Sequence, residues 1–136
     1  MQNKLSNEAF AHPIRGTPFW ISRRPSRRDD LSSFDLVIDL TSEFYADRAA
    51  AEYICIPQLD GHRLSQVKAC KSLPAHGKKS VLVHCANGHG RASLVVAILL
   101  KEHGYCNSYS EGLELIQSCR KEAHPNRAQR AWIESL

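Results

Sequence analysis

The residues best suited to chemistry are a cysteine and an arginine with two glycines between them. Five residues separate Cys85 from Arg91, and Gly88 and Gly90 lie within that interval. The glycines allow the backbone to curl so that successive N–H groups point inward at a helix N-terminus and form an anion-binding nest. Arg91, in the first turn of that helix, carries a planar fork that binds phosphate with two donors. The pattern therefore indicates a phosphate site.

Cys85 is predicted to lie at the floor of this phosphate site. The positive field of the helix N-terminus and of Arg91 favours the thiolate form of the cysteine. A thiolate in that place can attack phosphorus and form a phosphocysteine, so we interpret the loop as a phosphoryl-transfer site. The simpler alternative is a buried structural cysteine beside a surface arginine. That alternative does not explain why two glycines share the same turn.

The elements on either side of the loop are predicted from two apolar runs. Residues 81–83 are short, apolar and mainly β-branched, which is typical of a buried strand. Residues 94–100 are also apolar, but this run continues to His103 and stops at Gly104, which favours a buried helix beginning near Arg91. The loop would then leave the carboxyl end of a strand, where ligands bind in open α/β folds.

His84, Cys85 and Arg91 together resemble the signature loop of the cysteine-dependent protein tyrosine and dual-specificity phosphatases. The resemblance is specific at this loop and diffuse elsewhere, from about Phe19 to the C-terminus. It implies a compact three-layer α/β fold and a reaction that uses neither a metal nor another cofactor. It also implies that His84 supports the loop by hydrogen bonds. Low-molecular-weight phosphatases and arsenate reductases have a similar loop, but near the N-terminus, whereas here it lies well inside the chain. Rhodaneses also have a cysteine loop between a strand and a helix, but they usually lack an upstream acid such as the one predicted below.

The phosphate oxygens are predicted to bind backbone N–H groups along the whole loop. These are the N–H groups of Ala86, Asn87, Gly88, His89, Gly90 and Arg91.

Asp60 is predicted to be the general acid of the reaction. It follows the strand predicted over residues 52–56, on a loop expected to open at the same edge of the sheet as the Cys85 loop. An aspartate in such a loop is more often a turn former or a cap. The resembled family, however, keeps its general acid in a comparable place upstream of the cysteine. Asp60 would protonate the leaving oxygen and then activate water for the second step.

Two residues after Arg91 bear on how well the second step proceeds. The resembled family usually has serine or threonine directly after the arginine, where the hydroxyl stabilises the departing thiolate. This chain has Ala92 there and Ser93 next. One helical step rotates a side chain by about 100°, so Ser93 is expected to point elsewhere and to have a supporting role only. A phosphate-binding module with little turnover therefore remains an alternative to an enzyme.

The substrate is predicted to be a phosphorylated protein carrying phosphotyrosine, with or without phosphoserine and phosphothreonine. The alternative within the same chemistry is a phosphoinositide or another phospholipid head group. It is favoured by His89, which we expect at the rim of the loop, where some lipid-directed relatives carry lysine. The four arginines at positions 23, 24, 27 and 28 lack an aromatic platform or a sequence-reading motif, so no nucleic-acid partner is expected. Arg23 or Arg24 is a candidate substrate contact.

Composition limits the setting in which this chemistry would operate. The chain has 136 residues, a net charge of +4 and no apolar run of membrane-spanning length. Its start lacks the apolar core of a signal peptide. The five cysteines are odd in number and lack metal-ligand spacing, which predicts a reducing, cytoplasmic location. Contact with a membrane is expected only through the substrate or through a part of the protein outside this chain.

The whole chain, residues 1–136, is predicted to form a single α/β domain with an irregular lead-in over residues 1–16. The sheet is expected to be twisted and mostly parallel, with four or slightly more strands and helices on both faces. Strands are predicted over residues 18–22, 34–40, 52–56 and 81–83, with Trp20 anchored in the core. Helices are predicted over residues 64–76, 91–103, 108–121 and 127–136, with a short helix after Ser26. On the last helix, the buried face is expected to contain Ala128, Ala131, Trp132 and Leu136.

Overall fold

The computed structural model describes residues 10–26, 29–41, 52–56, 58, 67–86 and 90–136. In chain order the elements are β1 (Ala11–Pro13), β2 (Phe19–Ser22), β3 (Leu36–Asp39), β4 (Tyr53–Cys55), α1 (Val67–Lys71), β5 (Val81–His84), α2 (Arg91–Glu102), α3 (Tyr109–Cys119) and α4 (Arg127–Glu134).

The five strands form one sheet in the order β1-β2-β5-β3-β4. β5 is the central strand and runs parallel to β2 on one side and to β3 on the other, while β4 runs parallel to β3. β1 pairs antiparallel with β2. The predicted α/β fold with a mostly parallel sheet is confirmed. Because β2, β5 and β3 are parallel, the segments that follow them meet at one edge of the sheet.

Side chains of the sheet enter two apolar clusters, one on each face. Along β5, Val81 and Val83 belong to the larger cluster together with α2, whereas Leu82 belongs to the smaller one. This alternation follows from the two-residue period of a strand. The smaller cluster also contains Phe34, against which the half-buried Trp20 packs edge to face with ring centroids 5.6 Å apart. The sheet is therefore covered on both faces.

Helix α2 passes through the core, with every residue from 91 to 100 buried. A helix that is apolar on all sides needs neighbours on all sides. It ends as its sequence predicts. Gly104 has a φ of 80°, its N–H bonds the Lys101 carbonyl at 3.2 Å, and the Tyr105 N–H bonds the Leu100 carbonyl at 2.8 Å. These two bonds form the Schellman motif that a glycine after a helix permits.

Helix α3 packs closely against α2 at a glycine. A Cβ added to Gly112 would lie 3.3 Å from the Cα of Ala97, so the absence of a side chain lets the two helices approach. The Ser108 hydroxyl caps the start of α3 by accepting a hydrogen bond from the Glu111 N–H. The position of α2, and therefore of the loop before it, depends on this contact.

The predicted irregular lead-in is wrong at residues 11–13, which form β1. Ala11 pairs with Ser22 and Pro13 with Trp20, and both Phe10 and Ile14 are buried. A three-residue strand is too short to give a period in the sequence, and its pairing depends on β2. Pro13 is tolerated because β1 is at the edge of the sheet.

Two further local predictions are corrected. On α4 the buried side chains are Gln129 and Ile133, while Ala128, Ala131 and Leu136 are exposed and Trp132 is half-buried. The prediction for this helix rests on the apolar type of those four residues, but the buried stripe of the helix contains a polar residue, Gln129.

Ser26 does not begin a helix, since residues 29–31 are not helical. Its N–H and hydroxyl instead bond the Asp29 carboxylate at 2.7 and 3.1 Å.

In the described ranges, no helix has the length and hydropathy needed to cross a membrane.

Candidate active site

Cys85 directly follows the central strand and is buried, with 3% of its surface exposed. Neighbouring segments fix the backbone on both sides of it. The His84 carbonyl accepts a hydrogen bond from the Leu40 N–H after β3, and the Ala86 carbonyl accepts one from the Arg24 N–H after β2, both at 3.0 Å. The start of the loop is therefore held between the two strands that flank β5.

Arg91 is the first residue of α2 and has only 1% of its surface exposed. Its Nη1 donates a hydrogen bond to the Gln58 carbonyl at 3.0 Å. A guanidinium is costly to bury unless polar groups compensate it, so this bond both stabilises and orients the side chain. Cys85 and Arg91 thus stand at the two ends of one short loop, as the sequence predicts.

The structure describes part of the predicted site. Its described members are His84, Cys85, Ala86, Gly90, Arg91 and Ser93. The other predicted site residues lie outside the described residues, namely Asp60, Asn87, Gly88 and His89. Gln58, two residues before Asp60, is buried and contacts Arg91. Gln58 thus lies at the site, and the role of Asp60 stays a prediction.

The two residues after Arg91 are both fully buried. Ala92 packs in the larger apolar cluster. The Ser93 hydroxyl donates a hydrogen bond to the Gly90 carbonyl at 2.8 Å, within the first turn of α2. Ser93 therefore supports the junction between the loop and the helix.

Asp39 is a site residue that sequence reasoning did not assign to this position. It lies on β3 directly opposite His84, with its Oδ1 3.9 Å from the histidine Nδ1, and both side chains are buried. The carboxylate accepts hydrogen bonds from the Thr41 N–H at 2.9 Å, the Thr41 hydroxyl at 2.6 Å and the Tyr53 hydroxyl at 2.6 Å. Three donors from Thr41 and Tyr53 hold the carboxylate in place next to the imidazole. The signal in the sequence was a single acid at the end of a buried apolar strand.

Arginines from separate segments lie around the loop. The Arg24 backbone contacts Ala86, and Arg23 forms an ion pair with Asp29 at 3.1 Å. Arg120, just after α3, is half-buried, and burial lowers its pKa. Glu122 and the Cys85 thiolate act in the opposite direction and raise the pKa of Arg120, whereas Arg23 lowers it. The charge of Arg120 is therefore coupled to those of Cys85 and Arg23. Nothing in the sequence placed it there.

Among the described residues, no three His, Cys, Asp or Glu side chains are grouped so that they could hold a metal ion.

Comparison with known proteins identifies the family. The family model described as "Swiss Army Knife protein, DSP-PTPase phosphatase domain" matches residues 48–134, more than half of the chain. The chain belongs to this family. It is a cysteine-dependent phosphatase domain of the dual-specificity type, which confirms the family predicted from the Cys85 loop.

Individual relatives are similar over different lengths. Dual specificity protein phosphatase 1B of Arabidopsis thaliana is 47% identical over 47 residues, which cover 34% of this chain and 27% of that protein. The match thus spans about a quarter of the length of this curated relative.

Solved structures resemble the whole DSP-PTPase domain, although at low identity. Tk-PTP in its active form matches with a TM-score of 0.72 at 24% identity, covering 93% of this chain and 95% of that chain. Human DUSP28 matches with a TM-score of 0.75 at 17% identity, covering 92% of this chain and 90% of that chain. PTPMT1 in complex with PI(5)P matches with a TM-score of 0.74 at 17% identity, covering 93% of this chain and 93% of that chain. At these identities the similarity shows the fold.

The cysteines of this phosphatase domain should differ in reactivity. Burial raises the pKa of Cys70 to about 11, and it also raises the pKa values of Cys55 and Cys106, so these thiols hold little thiolate at neutral pH. We expect iodoacetamide to modify Cys85 before these three, because their raised pKa values leave them little thiolate to react at neutral pH. A time course of peptide mass spectrometry at neutral pH measures the order, and inorganic phosphate should slow labelling of Cys85 alone. Labelling of Cys55 as fast as Cys85 in the folded protein would contradict the electrostatic argument.

Proposed function

We propose that this domain hydrolyses phosphomonoesters in two steps through a phosphocysteine on Cys85. The observation that supports the proposal most directly is the buried Arg91 guanidinium at one end of the loop whose other end is the buried Cys85. A fixed cation beside a nucleophile suits an anionic substrate better than it suits packing.

In the first step, the Cys85 thiolate attacks phosphorus, so an S–P bond forms as the bond to the leaving oxygen breaks. Asp60 gives its proton to that oxygen. The equatorial oxygens bind Arg91 and the N–H groups of residues 86–91, and they do so best in the transition state, where their charge is spread. In the second step, Asp60 removes a proton from water as the water attacks phosphorus, and the S–P bond breaks to restore the thiolate. Ala92 cannot offer the departing sulfur a hydroxyl.

The first candidate substrate is a phosphorylated protein in the cytoplasm, carrying phosphotyrosine with or without phosphoserine and phosphothreonine. The family and the plant dual specificity protein phosphatase support this choice. The free cysteines of the described residues suit a reducing compartment, where Cys85 would stay reduced.

The second candidate substrate carries another phosphate close to the first, as in a phosphoinositide. Arg120 supports it, because its charge is coupled to that of Cys85 although it is not part of the loop, and Arg23 is coupled to Arg120 in turn. The structural similarity to PTPMT1, which was solved with PI(5)P, is consistent with this candidate.

Replacing the nucleophile tests the proposed chemistry. Cys85→Ser should abolish release of p-nitrophenol from p-nitrophenyl phosphate in the presence of EDTA, while inorganic phosphate still binds, as measured by calorimetry. The loop and Arg91 remain in this variant, but a serine hydroxyl is scarcely ionised at neutral pH. Cys55→Ser is the matched control and should keep full activity. Appreciable turnover by a folded Cys85→Ser variant would overturn the mechanism. Phosphate binding without turnover in the parent chain would favour the binding module.

Replacing the proposed acid tests the leaving-group step. Asp60→Asn should lower the rate by about 10²- to 10⁴-fold for phenyl phosphate, whose leaving group needs a proton. The loss should be smaller for p-nitrophenyl phosphate, because p-nitrophenolate leaves without much protonation. Glu114→Gln, an exposed carboxylate on α3, serves as the control. Equal losses on both substrates, or no loss, would show that another residue is the acid.

Replacing Arg120 tests the second candidate substrate. Arg120→Gln should lower kcat/KM for a doubly phosphorylated substrate by about 10-fold relative to a singly phosphorylated one, since a hydrogen bond to a charged group is lost. Soluble inositol phosphates and peptides with one or two phosphates would be compared as substrates. Lys121→Gln removes the same charge from the exposed neighbouring residue and should not discriminate. An equal loss on all substrates would mean that Arg120 acts on the Cys85 thiolate rather than on a second phosphate.

A further inference from the structure

Gln129 is a polar side chain buried in the core-facing stripe of α4, with 2% of its surface exposed. Its position is fixed by a capping box at the start of the helix. The Asn126 Oδ1 accepts a hydrogen bond from the Gln129 N–H at 2.8 Å, and the Gln129 Oε1 accepts one from the Asn126 N–H at 3.0 Å. The reciprocal bonds satisfy two N–H groups of the helix terminus and hold the glutamine in one orientation.

This fixed amide rests on the catalytic loop at Gly90. A Cβ added to Gly90 would lie 2.9 Å from the Gln129 Oε1 and 3.2 Å from its Nε2. The first distance is shorter than non-bonded heavy atoms tolerate. The amide therefore occupies the space that a side chain on Gly90 would need.

The backbone at Gly90 does not itself require a glycine. Its φ of −96° and ψ of −74° fall in the right-handed helical region, which is open to every L-residue. The reason for a glycine at this position is then the contact with Gln129. This contact lies one residue before Arg91, at the point where the loop becomes helix α2.

The same junction is also held from within α2. The Gly90 carbonyl accepts hydrogen bonds from the Ser93 hydroxyl at 2.8 Å and from the Leu94 N–H at 3.1 Å. The Gln129 side chain packs against Gly90 from a different element, helix α4, which is far along the chain. Two independent elements therefore set the angle at which the loop enters the helix that carries Arg91.

We infer that Gln129 is a positioning residue of the phosphatase site. It acts through Gly90, and it keeps the loop N–H groups and Arg91 directed at one phosphoryl group without itself touching the substrate. Its amide is neutral, so it supports an anion site without repelling the anion. The inference rests on the proposed function, because the loop it positions is the proposed phosphate site.

A double-mutant cycle tests the contact. Gly90→Ala in the parent chain should lower kcat/KM for p-nitrophenyl phosphate and weaken inhibition by inorganic phosphate, each by about 10-fold or more. In a Gln129→Ala background, where the space is vacated, Gly90→Ala should cost far less than in the parent. Ile133→Ala is the matched control, since Ile133 is the other buried residue of α4. It should lower the melting temperature and leave the effect of Gly90→Ala unchanged. Additive effects of Gly90→Ala and Gln129→Ala would overturn the inference.

A second variant covers the case in which Gln129→Ala does not fold. Gln129→Glu keeps an oxygen for the Asn126 N–H, because glutamate serves equally in a capping box, but it puts a negative charge against the loop. Inhibition by inorganic phosphate should weaken by about 10-fold or more, measured at a temperature at which circular dichroism shows the variant to be folded. Unchanged phosphate inhibition and unchanged kcat/KM would overturn the inference.

Protection of Cys85 from alkylation by phosphate needs no turnover. It therefore tests the position of the loop even if the parent chain proves to bind phosphate without hydrolysing it. Protection that is equal in the parent chain and in the Gln129→Glu variant would count against the inference.

Discussion

A guanidinium buried inside a small domain is stable only where polar groups surround it, and Arg91 imposes this constraint on the rest of the structure. Its exposed fraction is 1%, and the Gln58 carbonyl lies 3.0 Å from its Nη1. Gln58 in turn donates its N–H to the Leu40 carbonyl after β3. The cation is thus tied to the edge of the sheet by a short chain of hydrogen bonds. An arginine held in this way meets a dianion without first having to be ordered, which is the condition for strong electrostatic catalysis.

The Asp39 carboxylate close to Cys85 raises an electrostatic problem, which its hydrogen bonds resolve. Asp39 lies opposite His84, one residue from the cysteine, and an isolated negative charge there would oppose a thiolate. Three donors on Thr41 and Tyr53 share that charge and compensate much of its field. On the other side, Arg120 adds a positive charge near the thiolate.

The sequence was sufficient wherever one segment determines its own structure. The strand before Cys85, the helix after it and the stop at Gly104 each follow from a local pattern, and the parallel sheet follows from their order. The edge strand β1 was missed because three residues acquire their conformation only by pairing with β2. Gln129 was missed because a polar residue in a buried stripe looks like a surface residue. Arg120 was missed because its charge is coupled to that of Cys85 only through the tertiary fold.

The residues missed at the site share one property, which explains why the resemblance to the family is sharp at the loop and diffuse elsewhere. Asp39, Arg120 and Gln129 lie on β3, at the end of α3 and on α4, so each belongs to a different part of the chain. A short loop that binds an anion with its backbone has few side chains of its own to stabilise it, and neighbouring elements must supply that stability. Such support is defined by geometry, and different residue types can provide it. The chemical residues of the loop are therefore readable from their spacing, whereas their supports become visible only once the chain is folded.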